Sequence, residues 1–362
     1  MIDFIPLEFY QYYYINTALV IVIFTMLHSW VLELDDYKNI LYIKTIGYLL
    51  LILILLYIGL RPVSGRYFAD MRTYSNTFEY YANGGDLKTD KDVFFQLITK
   101  FCAEIMTVNA YFLMCAVLYI VPMYRVSKAF FKEYWFYSFL MFLVSFSFWS
   151  YGVNGIRNGL ATSMFLWAIS FYEKKPLMIA FMILSMLFHK TLLLPILAFS
   201  LTFLHNKSKT YLIFWIAAIP LSIALGSFWE SLFASLGFAD DRLSGYLTNE
   251  SAGRSGFRYD FLFYSSFPVI AGWFYIFKKD FQDKLYHHIF NTYLITNAFW
   301  ILVIRANFSN RFAYLSWFLM GLIIIYPLLK EQFHKHQHIV IGQILVAYFS
   351  FTYLMFTIYY AR

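Results

Sequence analysis

Long apolar stretches recur along the chain, separated by short polar segments. A helix needs roughly 20 residues to cross the hydrocarbon core of a bilayer. Windows of about that length lie at 13–33, 41–60, 108–125, 133–150, 157–173, 176–204, 210–228, 261–277, 286–304, 311–329 and 338–358. The pattern predicts an all-α, polytopic integral membrane protein that forms a single multi-span domain over residues 1–362.

The window 176–204 is too long for one ordinary span. It contains His189, Lys190 and Pro195, residues that interrupt an apolar helix. We interpret it as two short segments that meet near His189. This division brings the expected number of transmembrane helices to about twelve.

The composition excludes a soluble domain. Hydrophobic residues make up 61% of the chain and charged residues 14%, which is more apolar sequence than one core can bury. The aromatic content of 23% suits Tyr and Trp belts at the two interfaces.

The net charge of +7 arises largely from short loops between apolar segments. We therefore attribute it to membrane topology and expect no nucleic-acid partner. The first residues include acidic side chains and no basic segment, so a cleaved signal peptide is not expected.

The positive-inside rule sets the expected orientation. Short connections carry the lysines and one arginine: Lys38, Lys44, Arg125, Lys128, Lys132, Lys174, Lys175, Lys207, Lys209, Lys278, Lys279, Lys284, Lys330 and Lys335. These connections are predicted to be cytoplasmic. The two long loops, 61–107 and 229–260, and both termini are then extracytoplasmic. Within the first loop, 92–105 reads as an amphipathic helix on the membrane surface.

The two faces differ in the kind of positive residue. The predicted outer side carries nine arginines: Arg61, Arg66, Arg72, Arg157, Arg242, Arg254, Arg258, Arg305 and Arg311. Lysine is sufficient for topology, whereas the planar arginine fork binds phosphate or carboxylate in two places at once. The enrichment indicates recognition of an anionic ligand on the outer face. Snorkelling of long basic side chains to the interface is the alternative.

One polar stretch interrupts the aromatic membrane sequence at 151–161, YGVNGIRNGLA. If it is one continuous helix, Asn154, Arg157, Asn158 and Ala161 share a face, and Gly152, Gly155, Gly159 and Thr162 form a neighbouring face of small residues. An arginine at the centre of a membrane helix costs roughly 2.5 to 3.5 kcal/mol, so it normally faces a partner or a water-filled cavity. The small face allows close approach of another helix.

A similar stripe occurs near the end of the chain. Asn307, Asn310, Arg311 and Tyr314 have the same spacing as the residues around Arg157. Two polar stripes at predicted outer helix starts favour a shared binding function over chance.

Two further outer residues can titrate or orient a partner. His189 lies near the outer end of an apolar helix, where it is either a proton acceptor or a packed core residue. Asp70 lies between Arg66 and Arg72, close to Tyr74. It either orients an arginine or serves as the base.

Motifs of other chemistries are absent from the sequence. It has no Walker loop, no dinucleotide-binding glycine pattern and no nucleophile elbow. No spacing typical of a metal site stands out. We therefore expect neither a metal nor another cofactor.

The landmarks together resemble a known family. The segment Asn154 to Ala161, then Phe188-His189, and finally Asn310-Arg311-Phe312 are similar to the EpsG family of Wzy-type bacterial polysaccharide and O-antigen polymerases. Asp70 followed by Tyr74 also fits that family's outer loop. The resemblance implies a layout like that of metal-independent lipid-linked glycosyltransferases. It further implies a location in the bacterial inner membrane with the active site facing outside the cytoplasm.

The implied reaction moves a growing glycan from undecaprenyl pyrophosphate to another lipid-linked repeat unit. Donor and acceptor are thus both undecaprenyl-pyrophosphate-linked oligosaccharides, with membrane lipid around them and a chain-length regulator as a candidate partner. Arg157, Arg258 and Arg311 are predicted to clamp the pyrophosphate, with Arg305, Arg254 and Arg72 as second choices and with Asn154, Asn158, Asn310 and Tyr314 beside them. His189 is the first candidate for the base and Asp70 the second. A transporter or flippase of lipid-linked sugars and an O-antigen-type ligase remain alternatives.

Overall fold

The fold was described from a computed structural model, which covers residues 4–88, 92–235, 256–306 and 309–359. Over these ranges the chain is helical and contains no β-strand. The α-helices, numbered here in chain order, are α1 Tyr10–Val31, α2 Tyr37–Gly59, α3 Ala69–Ala82, α4 Val93–Ile105, α5 Val108–Phe131, α6 Trp135–Leu143, α7 Phe146–Val153, α8 Ile156–Ser170, α9 Lys175–Phe188, α10 Leu193–Leu204, α11 Ser208–Ser235, α12 Tyr259–Trp273, α13 Lys284–Leu302, α14 Asn310–Trp317, α15 Met320–Lys330 and α16 Gln337–Leu354. The all-α membrane architecture is confirmed.

Seven helical stretches within the described ranges are long and apolar enough to cross a membrane. Helices α9 and α10 are apolar but shorter. The predicted division of 176–204 is present, because the helix breaks at His189 and a 3₁₀ turn, Lys190–Leu192, precedes α10. The total of about twelve spans stays a prediction.

The chain forms two compact units. The first contains residues 1–190 and 328–362, and the second contains 191–327. Each has its own buried aromatic and aliphatic interior. They are described separately below, and the single membrane domain over 1–362 stays a prediction.

The turn expected between the spans 133–150 and 157–173 is present, whereas the alternative of one continuous helix through 151–161 is wrong at its start. Helix α7 ends at Val153, and the backbone N–H groups of Asn154 and Gly155 both donate to the Ser150 carbonyl, at 3.0 and 2.8 Å. Gly155 then has the non-helical ψ of 47° from which α8 begins. Asn154 therefore lies in a turn and does not share a helical face with Arg157. Of the predicted polar face, only Arg157, Asn158 and Ala161 lie together in α8.

The small residues around this turn do admit a neighbouring helix, as predicted. A Cβ atom on Gly152 or Gly159 would lie 3.2 Å from the ring of Tyr119, which α5 contributes. On Gly159 it would also lie 2.7 Å from the Tyr151 carbonyl oxygen. The Ser163 hydroxyl of α8 donates to the Tyr119 carbonyl at 2.6 Å. Helices α5, α7 and α8 are thereby held in direct backbone contact.

Helices α8 and α9 form an antiparallel hairpin in the first unit. The Ser185 hydroxyl of α9 donates to the Ala161 carbonyl of α8 at 2.7 Å. Arg157 lies one turn before Ala161, and His189 lies one turn after Ser185. Because the two helices run in opposite directions, Arg157 and His189 are at the same end of the hairpin.

A buried polar network organises the second unit. The Asn297 side chain of α13 accepts from the Trp215 indole at 2.8 Å and donates to Ser265 and Ser316 at 3.2 and 2.9 Å. The Trp317 indole also donates to Ser265, at 2.7 Å. These bonds join α11, α12, α13 and α14 inside an apolar interior, where unpaired polar groups are costly. They fix the position of the helix that begins at Asn310.

We expect Gly159→Ala to destabilise the protein, although alanine is normally the better helix former. The added methyl group would meet the Tyr151 carbonyl, and overpacking of this kind costs about 1 to 3 kcal/mol. Thermal unfolding in detergent measures the effect. Gly256→Ala is the control, because a Cβ there meets no atom within 4 Å. Equal melting temperatures for the two variants would contradict the close α7–α8 packing.

Candidate functional site

Arg157, in the first turn of α8, is the centre of a polar cluster. Its Nη1 group forms an ion pair and hydrogen bond with Asp92, the residue before α4. The Tyr74 hydroxyl of α3 lies close enough to Arg157 for its pKa to respond to the charge of the guanidinium. The Phe95 ring lies 6.0 Å from the guanidinium carbon. The Arg157 side chain is 23% exposed and that of Asp92 is 9% exposed, so the cluster is only partly open.

Asp92 was not predicted as a site residue. Aspartate before a helix commonly accepts from the first backbone N–H groups, but the Asp92 side chain forms no such cap. Its backbone adopts the left-handed conformation, with φ of 45°, and its carboxylate pairs with Arg157. The available signal was the position of an acidic residue at the start of the predicted amphipathic helix. Pairing across 65 positions of sequence left no local trace.

Tyr74 and Asp70 reach this cluster from α3. They are four residues apart on one helix, and the Tyr74 ring packs edge-on against Phe95 with centroids 5.6 Å apart. Burial raises the pKa of Tyr74, and the charge of Arg157 opposes that rise. Tyr74 therefore stays a neutral phenol near pH 7. Asp70 is exposed in the first turn of α3 and is close enough to Arg157 to interact with its charge.

His189 lies beside the same cluster. It follows the last residue of α9 and is half-buried, with its backbone N–H donating to Ser185 at 3.3 Å. The preceding residue, Phe188, packs edge-on against Phe94 at 5.2 Å, and Phe94 is two residues beyond Asp92. Together with the α8–α9 hairpin, this contact puts His189, Asp92 and Arg157 at one end of the first unit.

Hydrogen bonding around Arg157 is incomplete within the described residues. The Arg157 Nε and the Asn154 Oδ1 are buried atoms that have no partner there. Buried polar atoms are nearly always bonded to protein or water. Asn158, the next residue of α8, is half-buried. The Arg157 Nε donor and the Asn154 Oδ1 acceptor are therefore not used by the described residues.

The remaining predicted arginines among the described residues, apart from Arg72, lie in the second unit. Arg258 forms a two-pronged pair with Asp260, with N–O distances of 2.9 and 2.6 Å, and its guanidinium carbon lies 3.5 Å from the Phe261 ring centre. Arg305 lies over Phe257 at 5.8 Å. Arg258 and Arg305 are thus brought together around Phe257.

The start of α14 supplies the other predicted residues of the second unit. Asn310 is half-buried, Arg311 is exposed and Tyr314 is buried, and the Tyr314 ring packs against Trp317 at 5.4 Å. Trp317 in turn contacts Phe261 at 5.1 Å, which places Tyr314 near the start of α12. Arg311 and Tyr314 lie on one helix, as predicted.

Three predicted positions remain, of which only Arg72 is among the described residues. Arg254 and Asn307 lie outside the described residues. Arg72 is exposed on α3, and its side-chain stem lies close to Gly65. Within the described ranges, no three His, Cys, Asp or Glu side chains are grouped to hold a metal ion.

Comparison with known proteins identifies the family. A model of the EpsG family matches residues 54–362. The chain belongs to the EpsG family. The matched range includes every candidate site residue named above and supports a polysaccharide-polymerase type of function in general. No curated protein and no solved structure matches the chain.

We expect Asp92 and Arg157 to be energetically coupled. In a double-mutant cycle of Asp92→Asn and Arg157→Met, thermal unfolding should give a coupling of about 1 to 2 kcal/mol, because each single change leaves a partly buried partner unpaired. The matched control is Asp92→Asn with Arg66→Met, since Arg66 is exposed and contacts Tyr67. Additive effects in the first cycle would show that the ion pair does not stabilise the protein.

Proposed function

We propose that this EpsG-family protein is a polysaccharide polymerase. It transfers a growing glycan from undecaprenyl pyrophosphate to another lipid-linked repeat unit at the outer face of the bacterial inner membrane. Family membership supports the polymerase class. The observation that carries the proposal is the partly open Arg157 cluster, in which Asp92, Tyr74 and Asp70 surround one arginine and His189 lies at the same hairpin end.

The reaction sets two chemical demands. An acceptor hydroxyl attacks the anomeric carbon of the donor sugar, a new C–O bond forms, and the bond from that carbon to the pyrophosphate oxygen breaks. The departing pyrophosphate gains negative charge, and the hydroxyl loses a proton. The enzyme therefore needs a cationic group at the leaving oxygen and a proton acceptor at the hydroxyl.

Arg157 fits the first demand. A guanidinium has five N–H donors in one plane, and Asp92 and Tyr74 engage only part of that set. Asp92 fixes the direction of the fork, and the remaining donors are available to phosphate oxygens. Each charge-assisted hydrogen bond is worth about 1.5 to 3 kcal/mol. The spare donor at Arg157 Nε and acceptor at Asn154 Oδ1 are further capacity for a polar ligand.

The sequence also pointed to arginines of the second unit as phosphate ligands. Arg258 and Arg311 are the first choices there and Arg305 is the second. Arg258 is already paired with Asp260, so a phosphate has to compete with that carboxylate or share the guanidinium with it. Arg254 and Arg72 are the remaining second choices, and Asn310 and Tyr314 stay proposed substrate-binding residues. Two or three arginines on one pyrophosphate would replace the charge that a metal ion supplies elsewhere.

His189 fits the second demand, with Asp70 as the alternative base. An unperturbed imidazole titrates near pH 6.5, close to the working pH, and a positioned base contributes about 10²- to 10⁴-fold to rate. His189 is half-buried at the hairpin end and Asp70 is exposed. Asp70 interacts with the charge of Arg157, and His189 lies at the same end of the α8–α9 hairpin, so both are candidates to accept the proton.

The proposed site has access to lipid. Helix α4 begins next to Asp92 and presents Val93, Leu97, Phe101 and Ile105 as an exposed apolar stripe with a spacing of four residues. Such a face suits the outer leaflet of a bilayer. A lipid-linked substrate would then approach Arg157 along α4 without leaving the membrane. A chain-length regulator stays a candidate partner.

Reconstitution with a single substrate tests the function. The purified protein in lipid vesicles should lengthen synthetic undecaprenyl-pyrophosphate repeat units without added nucleotide, as measured by gel or mass spectrometry. Arg157→Lys should fold normally yet lower the initial rate about 10²-fold, because lysine cannot replace the fork. Arg125→Lys, on the opposite predicted face, is the control and should keep the rate. Unchanged substrate with the unmodified protein would instead favour transport or a ligase that lacks its acceptor.

Separate substitutions distinguish the two candidate bases. We expect His189→Ala to abolish elongation while binding of the lipid-linked donor is retained, and Asp70→Asn to lower the rate by less than 10-fold. Donor binding is measured with labelled lipid-linked repeat unit in the same vesicles. His338→Ala, in a predicted cytoplasmic turn, is the control. If His189→Ala keeps its rate and Asp70→Asn loses it, the two roles are reversed.

A further inference from the structure

A second arginine, Arg61, is buried more deeply than Arg157. It follows α2 by two residues and is 2% exposed. No carboxylate pairs with it within the described parts of the chain. Burial lowers the pKa of Arg61 to about 10, which still leaves the guanidinium charged near neutral pH. A buried charge without a counter-ion needs a specific compensating arrangement.

Two helix ends supply that compensation. The Arg61 Nη1 donates to the Ile58 carbonyl in the last turn of α2, and Nη2 donates at 3.4 Å to the carbonyl of Val153, the last residue of α7. The carboxyl end of a helix carries partial negative charge and unpaired carbonyl groups. The rings of Phe68 and Phe112 flank the guanidinium carbon at 5.8 and 5.7 Å. The aromatic faces add a weak attraction to the cation.

The contact between Arg61 and the Val153 carbonyl lies where the chain passes from α7 to α8. Val153 ends α7 and is followed by the turn at Asn154 and Gly155, after which α8 begins. Arg157 is four residues beyond Val153. The direction in which α8 starts, and with it the place of the Arg157 guanidinium, depends on how α7 ends. The Arg61 side chain donates a hydrogen bond to that last carbonyl.

We propose that Arg61 is a positioning residue: by bridging the carbonyl ends of α2 and α7, it holds the α7–α8 break in the form that brings Arg157 to Asp92 and Tyr74. Arg61 is enclosed and does not contact substrate. It acts through the backbone, and its charge is matched by carbonyl groups. A carboxylate partner would compete with those carbonyls for its N–H groups. The catalytic meaning of this role rests on the proposed function, whereas the positioning itself does not.

The identity of the side chain matters to this role. A guanidinium holds its two terminal nitrogens at fixed positions in one plane, so each can donate to a carbonyl of a different helix. The donors of an ammonium all radiate from one nitrogen at the end of a flexible stem. Arg61→Lys therefore keeps the charge but should lose one of the two contacts. Arg61→Met keeps much of the volume and loses both. The two variants separate the effect of the fork from that of the charge.

A reporter at Tyr74 tests the proposal without any substrate. 3-Fluorotyrosine is incorporated at position 74 of the full chain, and its ¹⁹F resonance is recorded in detergent for the unmodified protein, Arg157→Met, Arg61→Met and Arg61→Lys. The resonance in Arg61→Met should move most of the way to its position in Arg157→Met, with Arg61→Lys in between. Arg66→Met is the control for loss of an arginine from the same loop and should leave the resonance in place.

The outcomes separate positioning from simple stability and from the proposed reaction. In the elongation assay, both Arg61 variants should lower kcat, by about 10²-fold for methionine, with a smaller change in KM, because misplacement by about 1 Å is enough for a loss of that size. A folded Arg61→Met or Arg61→Lys with an unshifted Tyr74 resonance overturns the proposal. If Arg61→Met does not fold, Arg61→Lys alone decides by the same criterion. If the unmodified protein does not elongate glycans, the ¹⁹F result still decides the positioning role, and only the polymerase proposal is lost.

Discussion

A guanidinium at the start of a helix that is otherwise apolar has to be matched by partners, and much of the first unit is arranged around that requirement. Arg157 reaches a carboxylate and a phenol because α3 and α4 fold back over the start of α8. The break before α8 exposes the helix start to those partners. Because Gly159 has no side chain, α8 packs closely against α5 and against the end of α7. Removal of any one of these features would leave the guanidinium without compensation in surroundings of low dielectric constant.

The sequence predicted the class of fold well because the signal is physical and local. A bilayer imposes helices of a certain length, so apolar windows mark them directly. The break at His189 was also visible, since histidine, lysine and proline interrupt an apolar run. The break at 154–155 falls between the predicted spans 133–150 and 157–173. The break at 144–145 was not predicted, because a run of apolar and small residues is compatible with both one helix and two. At 154–155 the fold is decided by backbone hydrogen bonds to Ser150 and by packing against α5, neither of which has a periodic signature in sequence.

The residues of the candidate site likewise divide into those that the sequence could identify and those that it could not. Arg157, Asp70 and His189 could be selected by residue type, because a charged or titratable group at a predicted membrane boundary is unusual. Asp92 could not be selected in this way, because aspartates are common in polar loops and its partner Arg157 is distant in sequence. Arg61 was visible as an outer arginine, but its burial depends on two helix ends that are distant in sequence. Residue type thus identifies the charged groups that are unfavourable in a membrane protein. Only the fold identifies the partners that stabilise those groups.

The two arginines solve one electrostatic problem in two ways, and the difference determines what each can do. Arg61 is enclosed and is matched by carbonyl dipoles, so it is fixed and has no exchange with a ligand. Arg157 is matched by one carboxylate and one phenol and remains 23% exposed, so an incoming anion can share or replace its partners. The first unit thus combines one enclosed, fixed cation with one partly open cation, and fixed charges need little reorganisation when an anion binds. Lysine is a poorer fit at both positions, because its donors radiate from one nitrogen on a flexible stem and cannot form a fixed planar fork.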